Sequence, residues 1–188
     1  MAAEDRREIV LQAAVRAFAQ GGYAGTTTDQ VAREAGVSQP YVVRIFGNKL
    51  DLFLAVLELA CQRVMATFEE VLADPGFDAA AEDARDRLGL GYTTLMADGD
   101  LLRVMMHGFT AGGAVPEIGH LARTRFAAIY ELLAARTGWS GEEVRDFLAQ
   151  GMLLTVLMSM GAIGGPSDGL ADLPTPLAEL IEACVTLP

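Results

Sequence analysis

A chain of 188 residues that is 52% hydrophobic and 21% charged has the apolar content of a folded protein, which excludes a largely disordered one. Two cysteines, Cys61 and Cys184, exclude a disulfide framework, and with no long apolar segment at the N-terminus a cytoplasmic protein is expected. The net charge of −11 argues against a polyanionic partner for the chain as a whole, but it is unevenly spread. Residues 1–50 hold six basic and five acidic side chains, a net +1, and the other 138 hold eight against twenty, a net −12. An N-terminal unit with a partner of its own is implied. The charge-free stretch from Gly151 to Ser167 contains Gly, Thr, Ser and Pro and falls short of the ~20 apolar residues of a membrane span.

Almost every segment reads as helix, because period-2 alternation is missing and Ala, Leu, Met, Glu and Arg dominate. Ile9, Ala13, Ala14, Ala17 and Phe18 form the apolar stripe of a first helix that Gly21-Gly22 should end. Thr27 followed three residues later by Gln30 fits a capping box for a second helix, which Ala35-Gly36 should close. Ser38 can cap a short third helix, with Pro40 tolerated in its first turn. Asn48 can cap a long fourth helix from Lys49 to Ala73, stopped by Asp74-Pro75-Gly76. Further helices are expected over residues 78–97, 100–111, 116–137, 141–162 and 175–185, with Ser140 capping the one that Glu142 and Glu143 begin. Residues 164–173 are rich in Gly, Pro and Asp and should form a loop.

The second and third helices fit a helix-turn-helix. Ala32 is small enough for a close crossing, Gly36 suits the turn, and Val42 and Ile45 can pack inward. That leaves Gln39, Tyr41, Val43 and Arg44 nearer the outside. Residues 21–58, GGYAGTTTDQVAREAGVSQPYVVRIFGNKLDLFLAVLE, resemble the DNA-binding region of TetR-family transcriptional regulators. The elements match in order: Gly-Tyr, a Thr-rich cap, an apolar-Ala helix, an Ala-Gly-Val-Ser turn, a short helix ending in Phe, and a Lys that starts the connector. Thr137-Gly138-Trp139-Ser140 and residues 149–154 resemble the C-terminal half of an actinobacterial-type branch. One departure stands out: the family pattern has a tyrosine where this chain has Val43, and the aromatic here is Tyr41.

The resemblance implies an all-α protein with a helix-turn-helix DNA-binding domain over residues 1–48 and a helical ligand-binding and dimerisation domain over 49–188. The partners implied are a double-stranded DNA operator, a small-molecule effector and a second copy of the chain. A recognition helix reads the major groove from its N-terminal residues. Gln39, Pro40 and Tyr41 are therefore expected at the DNA, with Arg44 as the guanine-reading or phosphate-binding residue. Thr27, Thr28 and Ser38 lie at helix N-termini and Lys49 at the start of the connector, where phosphate contacts are expected, although plain capping explains the hydroxyls equally well.

An apolar, methionine-rich wall of Tyr92, Met96, Met105, Met106, Phe109, Phe126, Tyr130 and Met152, with His107 as its polar group, is the expected effector site; ordinary core is the competing reading. A dimer surface is sought in the last two helices, along Gly151, Leu154, Thr155, Met158, Ser159 and Ala162, and along Leu177, Leu180, Ile181 and Cys184. Neither a metal site nor a cofactor is expected: His107 and His120 are 13 residues apart with no clustered ligands, and no phosphate-loop or nucleophile-elbow pattern occurs. Catalysis is not expected. The alternative is a helical ligand-binding or adaptor protein that has lost specific DNA binding, a reading that Val43 keeps open.

Overall fold

The computed structural model describes residues 3–163 and 174–185, with side-chain surroundings for 6–163 and 174–181. The expected loop over 164–173 and the side chain of Cys184 lie outside them. The described chain is all helix: α1 (Ala3–Gly25), α2 (Thr28–Glu34), α3 (Gln39–Phe46), α4 (Lys49–Ala73), α5 (Ala84–Met96), α6 (Gly99–Ala111), α7 (Pro116–Thr137), α8 (Gly141–Ser159) and α9 (Thr175–Val185). None of these helices is long and apolar enough to cross a membrane.

The chain divides into two compact units, one of residues 1–63 and 98–126, the other of 64–97 and 127–188. In the first, α1 packs on α2 and α6, and α2 packs on α3. Its core holds Phe18 and Phe53, whose rings meet edge to face at 5.0 Å, with Val31, Val42, Leu52 and Leu57 fully buried. α1 breaks at Gly22, which adopts φ 62° and ψ −176°, a region essentially reserved for glycine. The break falls where Gly21-Gly22 was expected to end the helix; one further turn follows it. In the same unit, a Cβ on Gly119 would lie 2.4 Å from the carbonyl oxygen of Gly112. The start of α7 is thus seated directly on the backbone at the end of α6.

Cys61, on α4, is buried in this unit, and that burial, aided by the charge of Glu58 and opposed by Arg125, pushes its thiol up to about 11. The sign of the linkage follows. Below the unfolded value the thiol is neutral in both states; between pH ~9 and ~11 only the unfolded chain ionises, so stability falls as pH rises. The expected loss through this group is about 2–3 kcal/mol. Urea unfolding from pH 8 to 11 should show a flatter decline in Cys61→Ala; parallel declines would refute it.

In the second unit Phe68 lies between Tyr92 (6.2 Å, stacked) and Phe147 (6.0 Å), and Trp139 packs on Phe147 at 5.7 Å. The Tyr92 hydroxyl shares a buried 2.6 Å hydrogen bond with Thr155. α8 and α9 meet through Leu157, Ala162 and Ile181, flanked by Leu153, Ile163 and Leu177. Ser140 and Glu143 form a reciprocal capping box at the start of α8, and the hydrogen bonds to the backbone and hydroxyl of Ser140 hold the Glu143 carboxyl below its ordinary value.

Two boundaries differ from expectation. α5 starts at Ala84 rather than Asp78. Asp74 and Asp78 instead accept the backbone N–H groups of Gly76 and Ala80, and the Trp139 indole donates to the Ala79 carbonyl. Side-chain bonds of this kind compete with a helical ladder. α8 stops at Ser159 rather than residue 162, because Gly161 turns to φ 72° and the Ala162 N–H donates back to the Leu157 carbonyl, a Schellman-type closure.

Candidate nucleic-acid interface

Thr27 caps α2 in extended conformation: its hydroxyl accepts from the Gln30 N–H at 3.2 Å, and the Gln30 side chain accepts from the Thr27 N–H at 2.7 Å. That reciprocal pair satisfies orphan donors at the helix start. The turn follows through Gly36 at φ 67°, closed by Val37 N–H donating to Ala32 O at 2.9 Å. Ser38 then takes the cap position of α3, but its hydroxyl makes no capping bond, contrary to expectation. The start of α3 is fixed to α2 instead, since the Gln39 amide donates to the Thr28 hydroxyl at 3.2 Å. The N-termini of α2 and α3, with Thr27, Thr28, Ser38, Gln39 and Pro40, are thereby brought together.

The inward face of α3 is Val42 and Phe46; Val43, 39% exposed, and Arg44 point outward. The Arg44 guanidinium lies 4.9 Å from the centre of the Tyr41 ring, a cation–π pair that holds both on one surface. Arg44 makes no ion pair among the described residues, whereas Arg16 and Arg33 are engaged by Glu34 and Asp29. Lys49 is anchored away from α3: its ammonium donates to the Ala24 carbonyl at 3.2 Å and sits 4.7 Å from the Tyr23 ring. Asn48 caps α4 by accepting from the Leu50 and Asp51 N–H groups.

The residues expected at the effector divide between the units. Met105, Met106, His107, Phe109 and Phe126 belong to the first; Tyr92, Met96, Tyr130 and Met152 belong to the second. Tyr92, Met96 and Met105 are buried. His107 faces α1, where its Nε2 lies 3.3 Å from the Ala19 carbonyl oxygen and its ring covers Gly22 so closely that a Cβ there would stand 2.9 Å from Nδ1. The reason is the break at Gly22, which gives the imidazole both a carbonyl and a flat seat.

A feature without any local sequence signal is a groove of about 730 Å³ in the first unit, lined from α4 by Leu54, Ala55 and Glu58 and from α7 by residues that include Leu121 and Arg125. Arg125 grips Glu58 through two hydrogen bonds, one from Nε at 2.7 Å and one from Nη2. The partners are 67 residues apart, so spacing could not reveal them. No group of three or more potential metal ligands occurs among the described residues.

A helix-turn-helix that carries the partly buried Tyr41 and the exposed Arg44 on one surface, with only helices among the described elements, is the architecture of a DNA-binding regulator class, and the comparisons agree. Residues 10–56 match the family of bacterial regulatory proteins, tetR family. The chain is 31% identical over 152 residues to the HTH-type transcriptional repressor SCO4008 of Streptomyces coelicolor, covering 80% of this chain and 73% of that protein. With HTH-type transcriptional regulator HbdR of Aromatoleum sp. it shares 39% identity over 67 residues, 36% of this chain and only 28% of HbdR. The structure of the multidrug binding protein EbrR complexed with imidazole superposes with a TM-score of 0.60 at 23% identity, over 98% of this chain and 92% of that one. The chain belongs to the TetR family of bacterial transcriptional regulators. The relatives named here are themselves transcriptional regulators.

Proposed function

We propose that the protein is a homodimeric, cytoplasmic repressor that binds an operator through residues 1–48 and is released by a small, largely apolar effector. The observation that carries the DNA half is the outward face of α3, where Tyr41 holds Arg44 beside the joined N-termini of α2 and α3. Helix N-termini and hydroxyls suit phosphate oxygens, and an arginine suits guanine. In this reading Thr27, Thr28, Ser38, Gln39, Pro40, Tyr41, Arg44 and Lys49 form the DNA surface. Tyr41 takes the place of the aromatic missing at Val43. A head of net +1 gains affinity by being doubled in a symmetric dimer. Selection of bound duplexes from a random pool tests this: a two-fold symmetric site with salt-dependent binding supports it. A shift that is absent or insensitive to salt favours the adaptor reading.

The effector is proposed as apolar because residues 51–188 carry −12, which disfavours anions. Of the expected lining residues, Met106, Phe109 and Phe126 keep exposed surface in the first unit, and Tyr130 and Met152 in the second.

For the dimer, Thr155, Ala162 and Ile181 are buried within the second unit and leave the outward positions to their neighbours. Val156 on α8 and Met160 at its C-cap are 37% and 61% exposed, and Leu180 on α9 is 40% exposed. An interface core should be apolar. Met160→Glu and Leu180→Glu are expected to yield folded monomers in sedimentation, with DNA affinity lost in parallel. A soluble dimer from both variants would move the interface elsewhere.

A further inference from the structure

We infer that Val43 is a specificity-determining residue that reads the C5-methyl group of a thymine in the operator, beside the contact made by Arg44. This rests on the DNA-binding half of the proposed function and names one base of each half-site. Pro40, Val43 and Arg44 are the exposed residues of α3. Pro40 stands three positions before Val43 and four before Arg44, the spacings that put side chains on one face of a helix. That face is two apolar side chains and one cation, opposite the buried Val42 and Phe46.

Folding does not ask for a valine at this place. Val43 keeps 39% of its surface in water, and a β-branched residue loses rotamer freedom in a helix, so alanine, glutamate or lysine would suit α3 better. The hydrogen-bonding capacity of the surface is also narrow. The Gln39 amide donates to the Thr28 hydroxyl at 3.2 Å. Of the exposed residues of α3, only Arg44 has a side chain that can hydrogen-bond, and it is held over the Tyr41 ring. A single arginine can read one guanine, which leaves a neighbouring base pair to an apolar contact.

Among base edges in the major groove, thymine alone presents a methyl group. Val43 precedes Arg44 by one residue, about 1.5 Å along the helix, and successive bases of a strand are ~3.4 Å apart. The thymine therefore falls within about two base pairs of the Arg44 contact. The same contact excludes cytosine. Pressed against its N4 amino group, the isopropyl group of Val43 would strip water from a donor and return no acceptor. Attraction to the methyl and exclusion of the amino group thus act in the same direction.

The test uses the full chain and the duplex selected from the random pool, in gel shifts at fixed salt. Each symmetry-related pair of thymines is replaced in turn by deoxyuridine, which keeps the pairing with adenine and lacks only the methyl. At one pair the affinity is expected to fall about fourfold per half-site, roughly fifteenfold for the dimer, the effect of burying one methyl in each half. Cytosine at that place should cost more, because it adds the unpaired amino group. In Val43→Ala the thymine and deoxyuridine duplexes should bind alike. Val43→Thr, which keeps one of the two methyls, should retain part of the difference. Unmoved melting temperatures establish that both variants fold. Equal binding of thymine and deoxyuridine duplexes at every position overturns the inference alone, and so does a methyl effect that Val43→Ala leaves at full size, since another residue then reads it. A chain that selects no duplex overturns the proposed regulator, and this inference with it.

Discussion

Replacing Gly22 with alanine is expected to destabilise the protein by about 2–4 kcal/mol, the sum of a backbone strain and an overpacking cost. The strain comes from φ 62° with ψ −176°, a conformation that a residue with a Cβ adopts only at a cost. The overpacking comes from His107, because the new methyl would lie 2.9 Å from its Nδ1 and 3.1 Å from Cε1. The two parts can be separated. His107→Ala removes the obstruction but not the strain, so Gly22→Ala should cost less in the His107→Ala background, with a coupling of about 1 kcal/mol or more. Urea unfolding of the four proteins in the cycle measures it. Equal costs in both backgrounds would mean that the ring moves aside freely and does not key α6 to α1. The joint matters functionally because α6 is the helix against which α1, the first element of the proposed DNA-binding head, is packed.

What the sequence could reveal here was local. The capping boxes at Thr27–Gln30 and Ser140–Glu143 each join residues three positions apart, and the breaks at Gly22 and Gly36 follow from one residue's backbone freedom. Those signals place the helix-turn-helix and most helix ends without any tertiary knowledge. The start of α5 was not legible, because the Trp139 indole that holds Ala79 lies 60 residues away in sequence. The same limit applies to His107, bonded to a carbonyl 88 residues away, and to the Glu58–Arg125 pair. An apolar stripe says which face of a helix is buried but not which neighbour buries it. For that reason the members of the methionine-rich wall could be named from the sequence, but not the unit to which each belongs. Ser38 shows the opposite error: a good capping residue in the cap position whose hydroxyl does not cap, since Gln39 and Thr28 already tie that helix start down.

Arg44→Ala should produce the largest loss of DNA binding of any single substitution, because a dimer carries the residue twice. If each Arg44 reads a base, the loss is ~1–3 kcal/mol per copy and about 2–6 kcal/mol for the dimer, confined to the selected site. If each instead touches phosphate, binding should weaken for every sequence, and the slope of log affinity against log salt should flatten by about 1.8, two contacts at ~0.9 each. The melting temperature should not move, because the side chain is exposed and its partner is the Tyr41 ring alone among the described residues. Arg44→Lys separates geometry from charge: a lysine keeps the phosphate attraction but cannot form the bidentate pair with guanine. Tyr41→Phe retains the ring under the guanidinium and removes only the hydroxyl. A drop in affinity for Tyr41→Phe at unchanged stability would show that the hydroxyl itself contacts DNA, in the role left open by Val43. An unchanged affinity would confine Tyr41 to holding Arg44. Unaltered affinity and salt slope in Arg44→Ala would remove α3 from the DNA surface altogether.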